Sequence, residues 1–231
     1  MAKLLGDGVL IVWVDLKEEA RREADRWYVE EHLPERVTQA EYLRSRRFQA
    51  IGQGLASPRY MAMFEAKTAA ALAGEGYRQI TSKINSRSQA MRNAFTRCIR
   101  STHRRLACFG AGEGGVMASA RLRFDSEVER GRYEAWSREG FAAWLTSHQA
   151  VISGHALAGA PEVRQRMDQF RQTGQGDEWA DGVLLAELGQ DADADATLLR
   201  MLSVAGLADA GVATSSVETG IYRTMASFTA A

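Results

Sequence analysis

The chain has 231 residues, 45% hydrophobic and 25% charged, with 29 Lys and Arg balanced by 29 Asp and Glu. These proportions exclude disordered, collagen-like and coiled-coil classes and fit an ordinary globular protein. No apolar run approaches the roughly 20 residues that span a bilayer as a helix, and Met1–Asp7 lacks the apolar core of a secretory leader, so a cytoplasmic protein without membrane association is expected. The two cysteines, Cys98 and Cys108, show no paired-ligand spacing. Reduced thiols are expected rather than a disulfide framework or a zinc site.

In chain order, Gly8–Leu16 reads as a strand, and the charged amphipathic segment Lys17–His32, carrying Trp27, reads as a helix. Strands are expected over Leu43–Ile51 and Tyr60–Ala66, then an Ala-rich helix from Thr68, a basic helix over Ser86–Thr96 and a fourth strand over Arg100–Phe109. After the glycine-rich loop Gly110–Gly115 the pattern restarts, 107 residues after Gly8. Gly115–Phe124 reads as a strand, Asp125 as an N-cap, and a long helix with Trp136 follows. Further strands are expected over Ala150–Leu157, Gly182–Leu188 and Val217–Phe228, with helices opened by Pro161 and over Ala196–Val204. Each half therefore reads strand, helix, strand, strand, helix, strand, the ferredoxin-like βαββαβ pattern. The fold class expected is α+β, with halves 1–110 and 115–231. A four-stranded sheet covered by helices on one face leaves the other face in need of a partner, so the two sheets should close into one pseudo-dimeric α+β barrel inside the chain. That leaves monomer and homodimer both open.

The segments Trp27-Tyr-Val-Glu-Glu-His-Leu-Pro-Glu-Arg36, Tyr42-Leu-Arg-Ser-Arg-Arg-Phe48 and Pro58-Arg-Tyr-Met-Ala-Met-Phe-Glu65 carry a likeness. The chain resembles the dimeric α/β barrel superfamily, closest to its EthD-like branch, over about residues 8–80. Over the second half the resemblance is architectural only, because Arg138-Glu-Gly-Phe-Ala-Ala-Trp144 stands where the Glu-His pair would be. The likeness implies one site per chain, no cofactor, and a small hydrophobic, aromatic or polyketide-like ligand. It implies elimination (lyase or dehydratase), isomerisation or cyclisation. The same superfamily also contains cofactor-free monooxygenases, haem-binding members, which would use His32 as an axial ligand, and non-catalytic or stress-related binding proteins.

The residues themselves define the candidate site. On a helix, Ala20, Ala24, Trp27 and Glu31 form one stripe, with Tyr28 and His32 one turn apart on an adjoining face. An imidazole beside a carboxylate is a general acid/base arrangement without a metal, with His32 exchanging the proton and Glu31 orienting the ring. The competing reading puts His32 at the helix C-terminus before Leu33-Pro34, stabilised by the helix dipole, with Glu30 and Glu31 solvated. Strand alternation puts Arg44 and Arg46 on one face and Arg47 on the other. One of them could hold a substrate oxyanion, while at least two are expected on an exposed basic face. Trp27, Tyr28, Arg47, Tyr60 and Tyr77 are the candidate substrate-binding residues.

From Arg78 to Arg105 basic residues predominate, and Gln172–Leu199 holds only acidic charges. A solvated basic face is expected, or else the two stretches meet across the barrel; no nucleic-acid signature accompanies them. Gly110-Ala-Gly-Glu-Gly-Gly115 precedes a strand rather than opening a helix, so it reads as a linker and not a dinucleotide loop. Asp191, Asp193 and Asp195 lack the remaining positions of a calcium loop and read as a helix cap.

Overall fold

The computed structural model describes residues 4–52, 58–170, 177–189 and 196–230. Eight strands close into one barrel: β1 (Gly8–Leu16), β2 (Arg44–Ala50), β3 (Tyr60–Ala66), β4 (Phe95–Gly110), β5 (Val116–Arg123), β6 (Val151–Gly159), β7 (Gly182–Leu188) and β8 (Ser216–Thr229). Their order around the barrel is β1-β3-β2-β8-β5-β7-β6-β4, and all eight pairings are antiparallel. The first four strands thus lie side by side as β4-β1-β3-β2 and the last four as β8-β5-β7-β6. Two seams, β2 with β8 and β4 with β6, join these arcs.

The fourth strand starts earlier than its sequence pattern suggests. It runs 16 residues because its two stretches serve different neighbours: Phe95–Arg104 pairs with β1 and His103–Gly110 with β6, with a register shift between Arg105 and Ala107. Such a shift bends a strand and turns its side chains, which explains why simple alternation fails there.

Alternation sets the layers. From β1 and β3, Val9, Ile11, Trp13, Met61 and Met63 point into the barrel, while Leu10, Val14, Tyr60, Ala62 and Phe64 point out beneath the helices. The barrel interior is packed with Trp13, Phe48, Met61, Met63, Leu185 and Tyr222. It leaves no room for the small hydrophobic ligand expected above, because these large side chains and a charged set described below fill it.

The first helical segment comprises α1 (Arg21–Trp27), a π-helical turn over Tyr28–His32 and α2 (Leu33–Thr38). It does not end at His32. Leu33 N–H donates to the Tyr28 carbonyl five residues back, and Pro34 sits in the first turn of α2, where its missing N–H is tolerated. The Ala-rich segment makes only a 3₁₀ turn over Ala70–Ala73, ended by extended Gly74, before α3 (Glu75–Ser82). The basic helix is α4 (Ser86–Asn93), capped by Asn85, whose side chain accepts from Ser88 N–H at 2.7 Å. In the second half α5 (Glu127–Glu139) is capped by Ser126, not Asp125: Ser126 Oγ accepts from Glu129 N–H at 3.2 Å, and Glu129 reaches back to Asp125 N–H at 2.9 Å. Then come α6 (Phe141–Thr146), α7 (Pro161–Gln169), α8 (Ala196–Met201) and α9 (Val204–Asp209). The helix expected over Ala196–Val204 divides because Ser203 caps α9. Asp191, Asp193 and Asp195 lie outside the described residues. Among the described residues, no helix is long and apolar enough to cross a membrane.

One interior residue sets an acid dependence. His103, on β4, is fully buried, and burial lowers its pKa to about 3. Its folded pKa lies below the unfolded value of about 6.5, so it contributes stability above pH 6.5 that is lost as pH falls toward 3. The loss is about 1.4 kcal/mol per pH unit. His103→Leu should therefore gain on the wild type by about that amount per unit between pH 6 and pH 4, measured by urea unfolding. Parallel curves would show that His103 is protonated in the fold.

Candidate active site

The π turn determines the geometry. Trp27 and His32 are five residues apart, the spacing that a π turn brings into register, and their rings stack at 4.3 Å with 26° between planes. Tyr28 and Phe64 meet the imidazole edge-on at 5.1 and 5.8 Å. The indole is fixed from α4, with Trp27 Nε1 donating to Ser88 Oγ at 3.0 Å. His32 is half-buried between helix and sheet, outside the barrel wall. Desolvation, then the positive charges of Arg36, Arg92 and Arg47, hold its pKa well below 6.5. It is a neutral imidazole at neutral pH, not a dipole-stabilised cation at a helix end.

Glu31 does not orient it. Its carboxylate is taken by Arg87 and by Asn85, the latter at 3.2 Å, and the hydrogen bond from Arg87 lowers its pKa. Arg87 also bonds Glu23 and Glu30, so Glu30 and Glu31 belong to an ion-pair cluster with α4. Arg47 is equally committed. Its guanidinium lies 3.8 Å from the Tyr28 ring centre and 4.7 Å from that of Tyr60, and donates to Asp25 Oδ1 at 2.6 Å and the Ala24 carbonyl at 3.3 Å. Tyr77, on α3, is buried in the same layer with Arg36 over its ring at 5.5 Å. The structure therefore gathers Trp27, Tyr28, His32, Tyr60 and Tyr77 in one aromatic layer, bordered by Arg47, and leaves Glu31 outside it.

Sequence reasoning missed Arg36. It is 5% exposed, and among the described residues its buried Nη1 has no hydrogen-bond partner. A buried guanidinium N–H without an acceptor is costly, and here it lies one helical turn after His32 at the edge of the aromatic layer. The position of Arg36, four residues after His32, is the signal that could have found it.

Sequence reasoning also missed a charged set inside the barrel. Arg44, Arg46 and Arg47 are all no more than 2% exposed, overturning the expectation of an exposed basic strand. Arg44 pairs directly with Glu65 across β2 and β3, Nε to Oε1 at 2.7 Å, and also binds Glu113 of the linker. Arg46 reaches Glu65 at 3.4 Å and, across the interior, Glu187 of β7 at 3.0 Å. A signal existed: β3 and β7 each carry one carboxylate, at the sixth position, in an otherwise apolar strand.

The basic stretch is largely neutralised. Arg97 pairs with Glu178 at 3.0 Å, Arg100 with Asp177 at 2.9 Å, and Arg104 with Glu134 at 2.5 Å. The basic and acidic stretches thus do meet. A cleft of about 510 Å³ at the barrel mouth, lined by Arg121, Arg123, Trp179 and Glu218 among others, contains none of the candidate residues.

No family model matches the chain, and no curated protein does. Solved structures do. An anthrone oxidase-like protein superposes with a TM-score of 0.60 at 12% identity, covering 96% of this chain and 92% of that one. A protein provisionally named a monooxygenase, from Lactobacillus acidophilus NCFM, gives 0.56 at 10% identity and covers 96% of each chain. A similarly named protein from Fusobacterium nucleatum gives 0.52 at 8% identity, covering 97% and 95%. At these identities the likeness concerns architecture alone, and with the strand order above it gives this chain the eight-stranded antiparallel α+β barrel fold of those proteins.

Proposed function

We propose that the chain is a cofactor-independent enzyme that oxygenates a small hydrophobic aromatic molecule, with His32 as the base. The observation that carries this reading is the neutral imidazole stacked on Trp27 inside an aromatic layer. A neutral imidazole can take a proton from an activated CH₂ beside an aromatic ketone, and the unpartnered Nη1 of Arg36 supplies a donor for the enolate oxygen that forms. The carbanion then combines with O₂. Overall the CH₂ group and O₂ give a carbonyl and one water, so one oxygen atom enters the product and the other leaves as water.

The names of the structural neighbours favour oxygenation over the elimination, isomerisation or cyclisation implied by the EthD-like resemblance. All four begin with the same proton transfer. They part at O₂: with an anthrone-type substrate, oxygen uptake should equal product formation mole for mole, and turnover should stop under nitrogen. Turnover that continues without oxygen would return the chain to the lyase or isomerase reading, and binding without turnover to the carrier reading. We further read the two arcs as tandem ferredoxin-like halves, 1–110 and 115–231, because both have the strand order fourth, first, third, second.

A further inference from the structure

The proposed chemistry uses neither cysteine. Cys108 and His155 face each other directly across the β4–β6 seam, with Sγ 3.1 Å from Nδ1. His155 Nε2 lies 3.3 Å from Glu187 Oε1. Glu187 is itself held, by Gly114 N–H at 2.8 Å and by Arg46 Nη1 at 3.0 Å. His155 and Glu187 are buried, whereas Cys108 is half-buried. Thiol, imidazole and carboxylate in this order form a nucleophile, a base and the group that orients the base.

We propose that Cys108, His155 and Glu187 form a second reactive site, in which Cys108 is a nucleophile toward small soft electrophiles of the α,β-unsaturated carbonyl class. His155 accepts the thiol proton, and the sulfur forms a C–S bond to the β-carbon. The π pair of the alkene moves to the α-carbon, which takes the proton back from His155. Nothing leaves and no oxidant is consumed.

The surroundings favour a protonated imidazole at His155. Burial alone would lower the His155 pKa, but its bonds to Cys108 and Glu187 outweigh this and the net shift is upward. Glu187 is held down to about 2 against its own desolvation, by the hydrogen bond from His155 and the charge of Arg46. The other charges on this end of the barrel are Arg44 and Arg46 from β2, Glu65 from β3 and Glu113 from the linker, which pair among themselves. His103, further along β4, stays neutral. A cysteine packed only for its volume would be inert.

The test is labelling of the native protein with acrylamide, read by peptide mapping, which separates Cys108 from Cys98 because Arg100, Arg104 and Arg105 lie between them. At about pH 7 native Cys108 should be labelled about tenfold faster than the same cysteine in the urea-unfolded chain, because the imidazole beside it takes the thiol proton as the C–S bond forms. His155→Gln, which removes the base, should abolish that advantage. A native Cys108 that is unlabelled, or that is labelled no faster than in the unfolded chain or in His155→Gln, would overturn the proposal.

Discussion

His32→Ala should lower turnover per folded molecule by about 10² to 10⁴, the usual worth of a positioned proton-transfer group, beyond whatever stability is lost with the ring's contacts to Trp27, Tyr28 and Phe64. The pH profile should carry the same signature. Since His32 acts as a base and its pKa lies well below 6.5, the acid limb of kcat/KM should fall well below pH 6.5. Three guanidinium charges and burial set that position, so neutralising Arg36 should move the limb upward. Glu31→Gln should leave chemistry intact, since its carboxylate serves Arg87. Glu139→Gln, at the corresponding place in the second half, should do the same. Full activity in His32→Ala would exclude the imidazole as the base and leave Tyr28 or Arg47 to carry the chemistry.

Glu65→Ala should destabilise the fold by about 3 kcal/mol, the lower end of the cost of removing one partner from a buried ion pair, because Arg44 and Arg46 each keep another carboxylate. Glu65 accepts from Arg44 Nε at 2.7 Å and Nη2 at 3.0 Å, from Arg46 Nη2 at 3.4 Å and from Leu5 N–H at 2.7 Å. Its loss removes two side-chain hydrogen bonds from Arg44 and one from Arg46, which keep Glu113 and Glu187 as carboxylate partners. For a chain of this size the melting temperature should drop by roughly 10 °C. A change under about 1 kcal/mol, typical of an exposed ion pair, would mean that water reaches this end of the interior. Replacing the whole set with apolar residues of equal volume is a different experiment and can be neutral.

Much of the architecture was legible because burial writes itself as periodicity. Gly8–Leu16, Tyr60–Ala66 and Gly182–Leu188 are buried along nearly their whole length and read as apolar runs, each with a single carboxylate near its end. The π turn was not legible: its five residues have ordinary helix propensity, and only the i, i+5 stack of Trp27 on His32 betrays it after the fact. That one added residue per turn also moved Glu31 out of the expected stripe and toward Arg87. The buried arginines were misread for a related reason. Alternation correctly separated Arg44 and Arg46 from Arg47, but composition cannot say that Glu65, Glu113 and Glu187, distant in sequence, converge on them. His155 and Cys108 were likewise invisible until the β4–β6 register placed them opposite each other.

The two seams have a consequence for how the protein responds to dilution. In a barrel assembled from separate subunits, the β2–β8 and β4–β6 pairings would form in a second-order step and come apart at low concentration. Here both are intramolecular, so closing the barrel is first order and the Arg46–Glu187 contact persists at any concentration. Specific activity should therefore be independent of enzyme concentration. Symmetry is no longer enforced either. With one chain supplying two non-identical arcs, the layer beneath α5 and α6 is free to be filled by Tyr133, Trp136, Phe141 and Trp144, while the layer beneath α1 and α2 holds Trp27 stacked on His32.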